Sequence, residues 1–198
     1  MNFKRWLLSE GLDAVKIHLP SVRQSHNFDC GAAALRSVCE FFKVGPDDHD
    51  EFIKACKTGS KHGTDVLDLI RAASSFGLSA KPVSGMNLDQ LTSFVDMGRP
   101  VIVCMQAWDE TPEKKKNYKK LESGHYVVVI GHDSNSIYIE DPVLEGNRGI
   151  LPHKEFLKRW HDKDQDGKEY HRFGLVLWKP MGWEAPDTQK ITKKKKIP

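Results

Sequence analysis

The chain has 198 residues, 39% of them hydrophobic and 29% charged, a length and composition that suit one globular domain burying about 70% of its extended surface. The longest stretch without a charged residue is Ser123 to His132, far short of the roughly 20 apolar residues of a membrane span. Lys4 and Arg5 are followed by only Trp6, Leu7 and Leu8 before Ser9 and Glu10, too few for a signal-peptide core, so the expected compartment is the cytoplasm. The net charge is +3, and leaving out Lys190 and Lys193 through Lys196 turns it to −2. The basic balance therefore belongs to a solvated tail rather than to a nucleic-acid-binding face. Four cysteines in a reducing compartment read as separate thiols, not as a disulfide framework.

In chain order, residues up to Gly98 read mainly as helices. Cys30 to Lys43 sets Leu35, Val38, Cys39 and Phe42 at helical spacing, with Asp29 as N-cap and Gly45-Pro46 as the stop. Asp50 to Lys57 is a second, short helix. Thr64 is the expected cap of a third, whose stripe is Val66, Leu67, Ile70, Ala73 and Phe76 and which ends at Gly77. Asn87 to Met97 is a fourth, closed by Gly98. Beyond it the period changes to that of strands: Pro100 to Gln106, His125 to Gly131, Ser136 to Glu140 and Phe173 to Trp178. Helices followed by strands give an α+β class. The lysine-rich loop Ala107 to Ser123 is long enough to serve as a lid, and its charge suits an acidic peptide.

The chemistry centres on Gln24-Ser-His-Asn-Phe-Asp-Cys30-Gly31. A cysteine in the first turn of a helix meets free N–H groups and the positive end of the helix dipole, which favour a thiolate. Ala32, Ala33 and Ala34 follow it, and small residues let another element approach. Gln24 can aim an amide donor at the point the Cys30 backbone N–H faces, making an oxyanion hole. Of nine histidines, His125 opens the most apolar strand, and the next strand ends at Asp141-Pro142. With a turn at His132 to Ser134, antiparallel pairing sets His125 opposite Asp141, near enough for the carboxylate to fix the imidazole. Cys39, Cys56 and Cys104 fall on apolar stripes and read as core.

Several stretches together resemble one family. Gln24 to Val38, Gly63-Thr-Asp65, Gly98 to Val103, Glu122 to Gly131, Glu140-Asp-Pro142 and Leu157 to His161 are similar to the bacteriocin-processing, or double-glycine, cysteine peptidases, over about residues 16 to 179. The resemblance implies a papain-like fold, with Cys30 as nucleophile, His125 as general base and acid, Asp141 as its orienter and Gln24 as oxyanion donor. The best-known members are fused to membrane-spanning and ATP-binding modules, whereas this sequence carries no span and no Gly-x-x-x-x-Gly-Lys-Ser/Thr loop, and so is similar to the free-standing branch.

The resulting expectation is a papain-like domain over residues 16–180, an N-terminal extension over 1–15 and a tail over 181–198. Its cleft lies between the start of the Cys30 helix and a sheet edge bearing His125 and Asp141. The expected activity is hydrolysis of a peptide or amide bond with no cofactor; a peptide-binding module without catalysis, and an acyl transferase, use the same residues. Asp162, Asp164, Asp166 and Gly167 match the first half of a calcium loop, but the position of the bidentate acid is Phe173; the segment reads as a polar turn and no metal is expected. His153, His161 and His171 show no zinc spacing with the cysteines.

Overall fold

The structure is a computed structural model and describes residues 14–181 apart from 108–120, 122, 145 and 147. Helices α1 (Cys30–Phe42), α2 (His49–Ala55) and α3 (Val66–Ser75) come first, then strand β1 (Ser79–Val83), helix α4 (Leu88–Asp96) and strands β2 (Val101–Gln106), β3 (Gly124–His132), β4 (Ser136–Glu140) and β5 (Arg148–Pro152). Helix α5 (His153–Arg159), the short strands β6 (His161–Lys163) and β7 (Glu169–His171), and β8 (Gly174–Trp178) complete the order. Six strands form one antiparallel sheet in the order β1-β8-β2-β3-β4-β5, and β6 and β7 pair as a separate ribbon. This is the α+β arrangement the sequence pattern predicts.

Helix α1 lies across β3 because Ala32, Ala33 and Ala34 are fully buried and keep it close. The apolar sides of α1, α2 and α3 converge in one core through Leu35, Val38, Phe52 and Leu69, which also takes in β2, β3 and β8. Cys39, Cys56 and Cys104 are all within this core. Among the described residues no helix is long and apolar enough to cross a membrane.

The caps differ from expectation in two places. Helix α3 is capped by Asp65, whose side chain accepts from Leu67 N–H at 2.7 Å, while Thr64 Oγ1 bonds Thr58 Oγ1. Asp29 stands at the N-cap of α1, but its side chain makes no capping bond. Strand β1 escaped the sequence reading because Ser-Ala-Lys-Pro-Val carries a proline and is half exposed; it survives as an edge strand paired only with β8, where a missing N–H is tolerated. Strands β5, β6 and β7 are short, and their pairing partners rather than their own pattern define them; helix α5 has only seven residues. The lysine-rich stretch of the 107–123 loop, the tail and most of the N-terminal extension lie outside the described residues. Ala14 and Val15 are part of the packed structure, Ala14 being buried.

The register of β3 and β4 is also different. Val128 pairs with Glu140 and Val129 with Ile139, whereas nearer the turn Gly131 pairs with Tyr138 and His132 with Ile137. Ile130 is the extra residue of a bulge. Its carbonyl accepts from both Lys16 and Ile17 N–H at 2.9 Å, and Val15 bridges to Gly131. A Cβ on residue 131 would lie 2.1 Å from the Ala14 carbonyl oxygen, so only glycine lets the 14–17 segment sit on the bulge. Extending the pairing beyond the bulge puts Asp141 opposite Val127, two residues from His125 and on its face. Without the bulge, the turn-proximal register would put Asp141 opposite Val128 and on the other face of the sheet.

Candidate active site

Cys30 is the first residue of α1, so its backbone N–H has no partner within the helix. The loop before it is held from within. Asp29 is fully buried, and its carboxylate accepts from Ser25 N–H and His26 N–H, each at 3.0 Å, and bonds His49 Nε2 at 2.9 Å. Burial by itself pushes the Asp29 carboxyl up, but the hydrogen bonds from His49, His26 and Ser25 and the charge of His49 outweigh it and hold the group below its ordinary value. His49 gave no signal in the sequence, because only the packing of α2 on α1 brings it to Asp29.

His125 and Asp141 meet although they are not directly opposed. His125 Nε2 lies 2.8 Å from Asp141 Oδ1, a diagonal contact across the antiparallel pair that an imidazole is long enough to make. Asp141 Oδ1 also accepts from Val143 N–H at 2.8 Å, and both side chains are buried. With Nε2 engaged, Nδ1 is the ring atom left for the Cys30 thiol, which hydrogen-bonds the imidazole. Burial alone would push the His125 pKa down; the bonds with Asp141 and Cys30, and the negative charge of both, raise it to about 10. The imidazole is thus charged at neutral pH. Strand β3 is flanked by β2 and β4, so the group sits at the end of interior strands and not along a side edge of the sheet.

Gln24 enters the same corner. Its backbone N–H donates to the Pro142 carbonyl at 3.1 Å, tying the loop before Cys30 to the one after Asp141. Its Nε2 donates one hydrogen to the His26 carbonyl and keeps a second, while Oε1 is buried with no partner among the described residues.

A cleft of about 750 Å³ opens beside Cys30 and is lined by Gly63, Thr64, Asp65, Cys104, Tyr126 and Asp162 among others. The three acids of the calcium-loop match are not brought together. Asp162 turns to Gln106, while Asp164 accepts from the backbone N–H groups of Asp166 and Lys168 and from the Tyr170 hydroxyl. Among the described residues no three His, Cys, Asp or Glu side chains could hold a metal ion. His161 and His171 stack 6.1 Å apart as a cross-strand pair.

A model of the Peptidase C39 family matches residues 18–163. The chain belongs to that family. A curated relative, the probable functional amyloid protease FapD of Pseudomonas aeruginosa, is 28% identical over 148 residues, 71% of this chain and 56% of that protein; the chain thus spans little more than half the length of that relative. Among solved structures, the chain is similar to the peptidase domain of Streptococcus ComA, a bi-functional ABC transporter, with a TM-score of 0.60 and 22% identity over 82% of this chain and 100% of that one. A C39-like peptidase from Bacillus anthracis gives 0.62 and 16% over 84% and 97%. The double glycine motif protease of an AMS/PCAT transporter, in complex with the leader peptide, gives 0.55 and 21% over 81% and 91%. These likenesses establish a shared fold, and family membership makes cysteine-peptidase chemistry the general expectation for the site.

Proposed function

We propose that this protein hydrolyses a peptide or amide bond through an acyl-enzyme on Cys30. The observation that carries the reading is the single line of contacts from the Cys30 thiol through the His125 imidazole to the Asp141 carboxylate. Cys30 Sγ attacks the scissile carbonyl, and the negative charge on its oxygen is held by the Cys30 N–H and the second hydrogen of Gln24 Nε2. His125, protonated, gives its proton to the leaving amine as the C–N bond breaks; it then takes one from water, which attacks the thioester and frees the acid. Asp141 keeps the imidazole in place and balances its charge. A peptide occupying the cleft is supported by the leader-peptide complex of the similarly folded AMS/PCAT protease.

Brief iodoacetamide treatment followed by peptide mapping, run beside cleavage of a peptide library, tests this. Cys30 is half exposed next to a charged imidazole. Burial pushes the Cys56 thiol up to about 12, with the Asp68 charge adding to it, and burial likewise raises Cys39 and Cys104. The expected outcome is rapid label on Cys30 alone, and cleavage that Cys30→Ala abolishes. Peptides captured by the native protein but left intact would replace hydrolysis with a binding role. Cleavage persisting in Cys30→Ala would remove Cys30 as nucleophile.

A further inference from the structure

One carboxylate in the cleft has no part in the reaction above. Asp162 stands on β6, opposite Tyr170 of β7, and both line the cleft with Cys30. It is held by Gln106, only 2% exposed at the end of β2: Nε2 donates to Asp162 Oδ1 at 3.1 Å and to the His161 carbonyl at 3.2 Å, while Oε1 accepts from Ser123 N–H. A buried amide bonded on both ends has one orientation, and so the carboxylate has one position. That position lies against Gly124, the residue before His125, where a Cβ would fall 2.3 Å from Asp162 Oδ2 and 2.7 Å from Oδ1. Any side chain there would displace the carboxylate from the cleft wall beside the catalytic histidine.

Among the described residues no cation touches the charge so placed, although the His161 and His125 charges reach it. Asp162 forms no ion pair among the described residues. Three lysines line the same cleft: Lys57 is paired with Asp68 at 3.0 Å, and Lys61 and Lys163 make no ion pair with Asp162. Half-burying an anion with no cation in contact is costly, and a carboxylate opening on a substrate cleft can take its cation from the substrate. Tyr126 and Tyr170 flank it in the same cleft. The Tyr126 hydroxyl has no hydrogen-bond partner among the described residues, and burial, with nearby negative charge adding to it, holds it well above its ordinary value, so it stays a neutral donor. The Tyr170 ring already carries Lys168, whose Nζ lies 5.0 Å from its centroid, and the Tyr126 ring beside the fixed carboxylate favours a cationic side chain.

We propose that Asp162 is the specificity-determining carboxylate of this cleft and selects a lysine or arginine side chain in the peptide, next to the bond held at Cys30. The inference rests on the peptidase reading for the scissile bond, and on the cleft alone for the preference. An acidic residue at that substrate position is repelled, and an aliphatic one removes water from the carboxylate without replacing it. Burial pushes the Asp162 carboxyl up to about 6, against the Lys163 N–H and Gln106 bonds and the nearby His161 and His125 charges. The preference therefore weakens as pH falls through about 6, when the carboxyl takes up a proton. Comparing basic with methionine-containing peptides cancels the pH dependence of the chemical step, which both substrates share.

The test has two arms. In the first, the native protein digests a library randomised on both sides of the cut. In the second, Cys30→Ala captures peptides from the same library. Lys and Arg should be enriched about tenfold over Met at one position beside the cut, and Asp162→Asn should remove most of that ratio. Absence of enrichment in both arms, or enrichment unchanged in Asp162→Asn, overturns the proposal while cleavage itself still supports the peptidase. If nothing is cut, the peptidase reading falls, and the capture arm alone decides: basic peptides held by Cys30→Ala and released in the Asp162→Asn double variant support the proposal, and no basic enrichment among the captured peptides, or no capture, ends it.

Discussion

The two sides of the site are built in opposite ways. On the Cys30 side the geometry comes mostly from neighbours in sequence: Asp29 gathers the N–H groups of Ser25 and His26, four and three residues away, and one residue from α2, His49, closes the set. On the His125 side almost nothing is local. His125 and Asp141 belong to different strands, and their shared face depends on a bulge at Ile130 that is held by a segment more than a hundred residues earlier in the chain. A loop can carry its own instructions in a few hydrogen bonds, whereas a sheet face depends on counting residues along two strands, so that one residue more or less inverts it.

Breaking each side in turn sharpens this contrast. The largest effect is expected from Asp141→Asn, which removes the charge that holds His125 without emptying the site. The turnover number should fall by about 10²- to 10⁴-fold. Activity requires the protonated imidazole and is lost as pH rises through its pKa, about 10 in the native protein; with the Asp141 charge gone, that alkaline limb should move to lower pH. The same elevation makes the pair a stabilising term that is complete below the ordinary histidine value of 6.5 and is lost as pH rises through about 10. A pH–rate profile of both proteins checks it, and an unmoved limb would mean that another group sets it.

Next in size is Asp29→Ala on the other side. It leaves two backbone N–H groups and the 9%-exposed His49 side chain without their acceptor, for an expected loss of about 3 kcal/mol in stability, measured by chemical denaturation. Because the damage is local, the mutant's pH–rate limb should stay near that of the native protein even as the turnover number drops. The smallest effect is expected from Gly131→Ala, about 2 kcal/mol as the 14–17 segment is pushed off the bulge. It lies far in sequence from Cys30, yet it should lower turnover and weaken the His125–Asp141 contact, visible in the NMR signal of the imidazole proton. A stability loss with that signal unchanged would show that the bulge does not depend on the 14–17 segment.

Some parts of the site could be read directly from residues. Cys30 stood out because a polar loop, a cysteine and three alanines in succession give a helix start that can pack closely, and that is where α1 begins. The α+β order followed from where the hydrophobic period changes. Asp29 holds the N-cap position of α1 but does not cap it with its side chain, for a physical reason: capping side chains bond N–H groups ahead of them, and nothing in the sequence says that this one turns back to Ser25, His26 and His49. The meeting of His125 and Asp141 was expected from direct pairing, and it occurs through a diagonal instead. The assumed register was displaced by an even number of residues near the site, which preserves the face.

The sequence by itself determined what is encoded within a few residues: the α1 start at Cys30, the stops of α3 and α4 at Gly77 and Gly98, the apolar strands and the burial of Cys39, Cys56 and Cys104; α1 itself stops at Lys43, in the left-handed region, and not at Gly45. The tertiary structure alone decided what depends on distant segments meeting. The 14–17 segment docks on Gly131 and fixes the β3–β4 bulge, α2 brings His49 to Asp29, and β6 carries Asp162 to Gln106 and Gly124. The physical reason is the range of the forces involved. Turn and helix signals act through backbone hydrogen bonds between near neighbours, but the position of a buried carboxylate is set by whichever donors the finished core leaves beside it.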